Sequence, residues 1–314
     1  MIVNAVLVVY AVAVAALAPR VLARAGWARR SPRLGVLAWQ AALAAVLGAV
    51  ALLAVDAVRP TDALSVDLGH LIHACAEKLA LPGRLTPASA ASSVGLLVAA
   101  VATVRLGWVL VTRTLTVRRQ RHHQRQLLDL LVRDVDDDGA SILDTDTPLA
   151  YCVPGGQGRI VLTSGAARLL TDEQRAAVVA HERAHLQGRH DLVLLLAEVT
   201  NAAFGFVRLF AAARQELKAL VEMLADDAAA RAAGSRNVAA ALVGLGMHQP
   251  PAATVGATGC AVADRVARLL GDEPRVRRTR HSVVLTAAAA VLAGPWLIAA
   301  GPVVAAARGL CLGG

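Results

Sequence analysis

The sequence is poor in aromatic residues and in cysteine. Only 3% of its 314 residues are aromatic although 56% are hydrophobic, so the apolar content is almost entirely aliphatic. The four cysteines stand far apart and form no C-x-x-C pair. This spacing excludes a cysteine-rich zinc module and a disulfide-dense secreted fold.

Acidic residues are also few, with 23 Asp and Glu against 32 Lys and Arg and a formal net charge of +9. A basic chain can indicate a nucleic-acid partner. Here the arginines cluster at the ends of long apolar runs, which is where the positive-inside rule places them in a membrane protein. A soluble domain of this length is rarely so apolar. We therefore expect the lipid bilayer as a partner and no direct binding of nucleic acid.

Four runs are long and apolar enough to cross a bilayer, which takes about 20 helical residues. They cover residues 2–18, 34–55, 93–112 and 282–307. The first lacks a basic segment before its apolar core, so we interpret it as a span and not as a signal peptide. Arg105 interrupts the third run near one end, which favours snorkelling to the interface over a functional intramembrane charge.

The positions of the basic residues predict an orientation in a plasma or bacterial inner membrane. Arginines follow the first span, follow the third and precede the fourth, whereas the loop 56–92 mixes both charges. The N-terminus, the loop 56–92 and the tail 308–314 are therefore predicted outside, and residues 113–281 in the cytoplasm.

The external segments leave two alternatives open. His70, His73 and Glu77 share one helical face, which is either a metal-sensing patch or a solvated surface. Cys75 and Cys311 would lie on the same side of the membrane and could form a disulfide.

The cytoplasmic segment is long enough for one domain with its own core. The pattern predicts a helix through "QRQLLDLLVRD", strands at 149–153 and 159–163 and helix from Thr171 to about Ala233. The acidic stretch 134–145 begins like a calcium loop. Its twelfth position is Thr145 where a bidentate Glu is required, so we interpret it as a surface loop.

The motif H-E-x-x-H occurs once, as His181, Glu182 and His185. Composition alone predicts roughly 0.006 such matches in this chain, so coincidence is a weak explanation. A capping box from Thr171 to Gln174 predicts the start of a helix before the motif. On that helix both imidazoles project from one face at the spacing that two ligands of a tetrahedral zinc ion need.

A third ligand is predicted from a helical hairpin. If the helix turns back near residues 203–205, His185 and Glu222 each lie about 26 Å from the bend and hence side by side. Asp226 follows one turn later, where it can accept the free N–H of a ligating imidazole. We therefore predict one catalytic zinc ion per chain, held by His181, His185 and Glu222, with Glu182 as the general base.

"HERAHLQGRHD" followed by "EMLADDAA" between membrane spans resembles the BlaR/MecR-type membrane metallopeptidases, which are similar to HtpX and the CAAX prenyl endopeptidases. The resemblance implies the same roles for these residues, with Asp226 in support. It also implies a mainly α membrane protein with four transmembrane helices and a cytoplasmic α+β zincin-like metallopeptidase domain between the third and fourth. "RIVLTSGA" resembles a strand that would hold substrate as an added β-strand.

The resemblance further implies an endopeptidase that cleaves a cytoplasmic protein in signal transduction, with a transcriptional repressor as the candidate substrate. Only "RGLCLGG" follows the fourth run, so a penicillin-binding sensor domain is not expected. Two alternatives remain: a quality-control protease for membrane proteins, and a non-catalytic scaffold stabilised by zinc. Nothing in the sequence indicates the oligomeric state or the group that stabilises the oxyanion. His190, Asp191 and Asp227 are interpreted as structural or solvated neighbours of the site, with substrate contact by His190 as an alternative.

Overall fold

A computed structural model describes residues 2–58, 87–132, 134–135, 139–156, 158–247, 258–271 and 278–312. These residues form helices α1 (Ile2–Ala23), α2 (Gly26–Arg30), α3 (Pro32–Val58), α4 (Pro87–Leu131), α5 (Ser164–Leu169), α6 (Asp172–Gln187), α7 (His190–Phe204), α8 (Arg208–Ala233), α9 (Ser235–Gly246), α10 (Thr258–Leu270) and α11 (Arg278–Leu312). The strands are β1 (Asp134–Val135), β2 (Ser141–Leu143), β3 (Ala150–Val153) and β4 (Arg159–Thr163).

Within the described residues, four helices are long and apolar enough to cross a membrane: Ile2–Ala23, Pro32–Asp56, Leu97–Leu131 and His281–Gly301. Each coincides with a run predicted from the sequence, so four membrane-length helices are confirmed. Half of the most apolar window of α3 is buried inside the protein, against 17% or less in the other three. α3 is therefore the central span, and α1, α4 and α11 pack against it.

α4 continues far beyond its apolar stretch. The predicted helix through "QRQLLDLLVRD" is its last part and not a separate element. Between Thr112 and Leu131 the sequence turns from apolar to basic, but it holds no Gly or Pro that would interrupt the backbone. The third span thus extends without a break into the domain that follows.

The sheet has the order β1-β2-β4-β3, with β2 and β4 parallel and the other pairs antiparallel. The two predicted strands are confirmed as β3 and β4. The stretch 134–145, predicted as a loop, contributes β1 and β2 instead, while residues 136–138 of the possible calcium loop lie outside the described part of the chain. The sheet packs on α6 through a buried cluster that includes Ile160, Leu162, Val178 and Val179.

The predicted helix from Thr171 to Ala233 is three helices: α6, α7 and α8. α6 ends before Gly188, and Arg189 adopts a left-handed conformation with φ of 47° that redirects the chain into α7. α7 turns back through Gly205 into α8. α8 then runs against α6 and also against α3.

The proposed external metal patch, formed by His70, His73 and Glu77, lies outside the described residues. Cys75 lies outside them too, so its pairing with Cys311 stays a prediction. The division of the chain into external and cytoplasmic parts likewise stays a prediction.

Candidate metal centre

α6 positions the two motif histidines. The predicted capping box is present: the Gln174 amide N–H donates to Thr171 Oγ1 at 3.3 Å, and the Thr171 N–H donates to Gln174 Oε1 at 3.2 Å. His181 and His185 follow on the same face of this helix. Their Nε2 atoms lie 3.1 Å apart, so both rings point to one place.

α8 brings the predicted third ligand to that place. Glu222 Oε2 lies 3.6 Å from His181 Nε2, and Glu222 Oε1 lies 3.7 Å from His185 Nε2. Glu222 therefore lies beside the two histidines, as the predicted helical hairpin requires. The chain reaches the bend of that hairpin through α6 and α7, however, and not through one continuous helix. Among the described residues, these three form the one group of His, Cys, Asp and Glu side chains arranged to hold a metal ion.

The spacing of the three donors fits zinc. Tetrahedral zinc with bonds of 2.0–2.1 Å places neighbouring ligand atoms about 3.3 Å apart. The two Nε2 atoms lie 3.1 Å apart, and each is 3.6 or 3.7 Å from a different oxygen of the Glu222 carboxylate, slightly more than that value. Two imidazoles with one carboxylate are a donor set that zinc accepts. Three protein ligands also leave a fourth position free, as catalytic zinc sites do.

A buried carboxylate and an arginine support this group. His181 Nδ1 lies 3.1 Å from Asp226 Oδ1, a close contact that falls short of regular hydrogen-bond geometry. The Asp226 side chain is fully buried, and Arg265 on α10 donates to both of its oxygens at 2.7 and 2.6 Å. Arg265 Nη1 also lies 3.1 Å from Glu222 Oε2. Arg265 therefore connects Glu222, the predicted third ligand, to Asp226, whose carboxylate lies behind His181.

His190 supports the other histidine. Its Nδ1 lies 3.1 Å from His185 Nδ1, and its ring is buried at the start of α7. Burial and the neighbouring His185 lower the pKa of His190 to about 4, so the ring is neutral at pH 7. If His185 binds metal through Nε2, its Nδ1 carries the proton, and this N–H donates a hydrogen bond to His190 Nδ1.

A cavity of about 300 Å³ opens in front of the metal group. Its walls come from β3, α6, α7 and α8, and its lining residues are Tyr151, Cys152, Pro154, His181, Glu182, His185, Leu186, Asp191, Leu194 and Glu222. Burial raises the pKa of Glu182, against the lowering effects of His181 and of a hydrogen bond with the Cys152 thiol. A carboxylate with a raised pKa inside the cavity is suited to accept a proton near neutral pH.

The carboxylates of Asp226 and Glu222 favour positively charged groups in the centre. Burial disfavours the charged form of His181, but contacts with Asp226 and Glu222 outweigh it and raise the pKa of His181 to about 9. Burial opposes ionisation of Glu222 too, yet His181 and Arg265 lower its pKa to about 2. Ionised carboxylates at this point attract a divalent cation for the same reason.

All five predicted site residues thus meet at one place. Glu182 and the three ligand candidates line the cavity, and Asp226 lies behind His181. Arg265 was not predicted, because it follows Asp226 by 39 residues and no local spacing connects the two. Cys152 is one of the four widely spaced cysteines, and no motif in the sequence connects it with the site. "RIVLT", expected to receive substrate, is wrong for that role, because β4 is paired on both sides and β3 forms the edge beside the cavity.

These observations are typical of a metallopeptidase site: an H-E-x-x-H motif with a glutamate beside its two histidines, in a chain with four membrane-length helices. Residues 118–247 match the family model of Peptidase family M48. This part of the chain is therefore similar to the M48 metallopeptidases, a zinc peptidase family that includes HtpX and the CAAX proteases. The match begins on α4, ends after α9 and contains all five predicted residues. No curated protein and no solved structure matches the chain.

Proposed function

We propose that the protein is a membrane-bound zinc metalloendopeptidase that hydrolyses peptide bonds of a cytoplasmic protein. The observation that carries the proposal is the convergence of His181, His185 and Glu222 in front of a cavity that also contains Glu182. A structural zinc site usually has four protein ligands. Three ligands facing a cavity therefore support catalysis over the scaffold alternative.

The residues present would divide the work as follows. His181, His185 and Glu222 would hold zinc, which when bound polarises the scissile carbonyl and lowers the pKa of a bound water. Glu182 accepts the proton of the attacking water and delivers it to the leaving amine. Asp226 and His190 orient the two imidazoles through their outer nitrogens.

The free edge of β3 is the surface on which substrate would bind. β3 pairs only with β4 among the described strands, and its Tyr151 and Cys152 line the cavity. An extended peptide that adds to this edge forms backbone hydrogen bonds and passes in front of Glu182. Such binding is largely independent of sequence, so selectivity must come from side-chain pockets or from access.

The role in the cell rests on the resemblance to BlaR/MecR-type proteins. Under it the substrate is a transcriptional repressor, and cleavage transmits a signal. Constitutive cleavage of many misfolded membrane proteins would favour quality control instead.

The test combines metal content with hydrolysis. The full chain in lipid nanodiscs is compared with Glu182→Gln and Glu222→Ala by elemental analysis and by cleavage of an unfolded protein such as casein. We expect about one zinc per chain in the wild type and in Glu182→Gln, and loss of zinc in Glu222→Ala.

Hydrolysis should fall by about 10²-fold or more in Glu182→Gln, because that variant keeps the metal but loses the base. A zinc chelator should abolish the wild-type activity, and added zinc should restore it. Undiminished hydrolysis by Glu182→Gln, or a zinc-free wild type after supplementation, would refute the proposal.

A further inference from the structure

The α7–α8 hairpin packs on a membrane-length helix and not on the sheet. The first half of α8 shares one buried cluster with α3, which includes Trp39, Leu43, Val46, Leu209, Phe210 and Leu217. Farther along α8, the Leu220 side chain lies against Gly35 of α3. A Cβ added at Gly35 would be only 2.9 Å from Leu220 Cδ1. α8 therefore runs beside the apolar stretch of α3.

The end of α7 is held by a second membrane-length helix. Arg105 on α4 donates its Nε–H to the carbonyl oxygen of Ala203 at 2.6 Å. The last carbonyls of a helix have no partner within the helix, and in hydrocarbon each needs one. A lone charge within a span needs one too. The hydrogen bond between Arg105 and Ala203 gives a partner to both the guanidinium and the carbonyl. Snorkelling of Arg105 to the interface, which the sequence favours, does not explain this contact.

The level of this contact follows from α4. Arg121 pairs with Asp191 at 3.0 Å, near the start of α7, while Arg105 contacts its end, so the two helices run antiparallel. The basic stretch of α4 begins at Arg113, eight residues after Arg105, which is about 12 Å along the helix. Ala203 therefore lies about 12 Å beyond the level at which α4 becomes basic, which is within one leaflet of a ~30 Å hydrocarbon core.

The tip itself is apolar and exposed. Two of the three phenylalanines of the chain lie within it, at positions 204 and 206, and the third follows on α8 at position 210. Phe204 packs against the other two rings, yet Phe206 is 82% exposed. Leu196 is also exposed on α7, two turns before the tip. Lipid chains would cover these side chains at the depth that Arg105 indicates.

We propose that the α7–α8 hairpin is a re-entrant membrane element whose tip, residues 204–207, penetrates the leaflet nearest the metal centre. The exposed ion pair of Glu198 and Arg214 lies above the tip, towards the surface. Arg208, directly after the tip, is exposed, and its long side chain can extend towards the headgroups. This element goes beyond peptide hydrolysis and does not depend on it.

One consequence rests on the proposed function. Glu222 follows Leu209 by 13 residues, which is about 20 Å along α8. With the tip in the leaflet, the metal centre lies at the membrane surface. The scissile bond would then belong to a segment close to that surface.

The depth of position 206 in the full chain tests the proposal. p-Acetylphenylalanine replaces Phe206 and receives a nitroxide, which leaves the four cysteines in place. The protein is reconstituted in phosphatidylcholine–phosphatidylglycerol vesicles, and collision with oxygen is compared with collision with a polar nickel chelate. Matched labels are placed at Val104, exposed on the apolar part of α4, and at Arg236, exposed at the start of α9.

We expect the oxygen-to-nickel ratio at position 206 to equal that at 104 and to exceed that at 236 several-fold. A ratio equal to that at 236 places the tip in water and overturns the proposal. Protection from both reagents shows a protein contact, such as a second copy of this chain, and overturns it as well.

A second measurement needs no substitution. A phosphatidylcholine with a diazirine at the end of one acyl chain should label the peptide that contains Phe206 in the unmodified protein, and absence of that adduct counts against insertion. The same depth in a Glu182→Gln background separates this result from any failure of the peptidase assay.

Discussion

At the scale of single residues, His190 is the clearest addition that the structure makes to the motif. Its Nδ1 lies 3.1 Å from His185 Nδ1, and a hydrogen bond between them leaves His185 Nε2 available for metal. His190→Phe keeps the ring volume and removes the acceptor. We expect a 10- to 100-fold weaker zinc affinity, measured by competition with a chromogenic chelator. His123→Phe, at an exposed position of α4, is the control, and equal affinity in both variants would contradict the role.

Arg265 stabilises a carboxylate that has no contact with water. In Arg265→Met the buried Asp226 loses its two hydrogen-bond donors, which should lower the free energy of unfolding by about 3 kcal/mol. Arg268→Met, one turn later on α10, removes the pair with the more exposed Asp227 and should cost about 1 kcal/mol or less. Thermal unfolding of both variants measures the difference. Equal losses would show that Arg265 acts only as a surface residue.

The loss in Arg265→Met should depend on pH. Burial opposes ionisation of Asp226, but Arg265 and His181 outweigh it and lower its pKa below the usual range of an aspartate. A lowered folded pKa contributes stability above the unfolded pKa, which is lost as the pH falls through the folded value. Without Arg265 the pKa of Asp226 rises. The gap in stability between wild type and variant should therefore be wider at pH 7 than at pH 4.

Cys152 should be unusually unreactive for a cavity cysteine. Burial and the adjacent Glu182 carboxylate raise the pKa of its thiol to about 12. Since the thiolate is the nucleophile, alkylation by iodoacetamide at pH 8 should be at least ~100-fold slower than for an unperturbed thiol. Mass spectrometry of the Cys152 peptide, before and after denaturation, measures the ratio. Equal rates would mean that the thiol is not held beside the carboxylate.

At the scale of elements, the junction between α6 and α7 determines the position of His190. Gly188 has an ordinary φ of −77°, but a Cβ at this position would lie 2.4 Å from His190 Nε2. Gly188→Ala should therefore displace the His190 ring and weaken zinc affinity as His190→Phe does. Gly234→Ala is a control in which a Cβ meets no atom within 4 Å, so backbone strain is its only cost. Full zinc affinity in Gly188→Ala would show that the ring can move without consequence.

The elements differ in how well the sequence predicts them. The start of α6 was predictable because its capping box is local, and Glu222 because a hairpin brings distant turns level. The break at Gly188 and Arg189 was not, since a single left-handed residue leaves no trace in the apolar pattern. β1 and β2 are too short and too polar to show alternation. The pairing of Arg265 with Asp226 needs the packing of α10 on α8, which no periodicity encodes.

At the scale of the whole molecule, the orientation in the membrane is the main untested prediction. The arginine distribution predicts that the N-terminus is outside and the metallopeptidase domain is cytoplasmic. An epitope inserted before Ile2 should bind antibody on intact cells. An epitope at Arg236, on the exposed start of α9, should bind only after permeabilisation. The reverse pattern would invert the topology and place the substrate outside.

The unbroken length of α4 connects the bilayer mechanically to the cavity. Beyond its apolar part, Arg121 pairs with Asp191 and Arg125 donates to the Pro154 carbonyl, and both partners line the cavity. Trp108 and Arg125 are separated by 17 residues, or about 26 Å of stiff helix. A 10° change of tilt in the membrane would therefore move Arg125 sideways by ~4–5 Å. Through this stiff helix, a force on the span would become a displacement of the cavity wall.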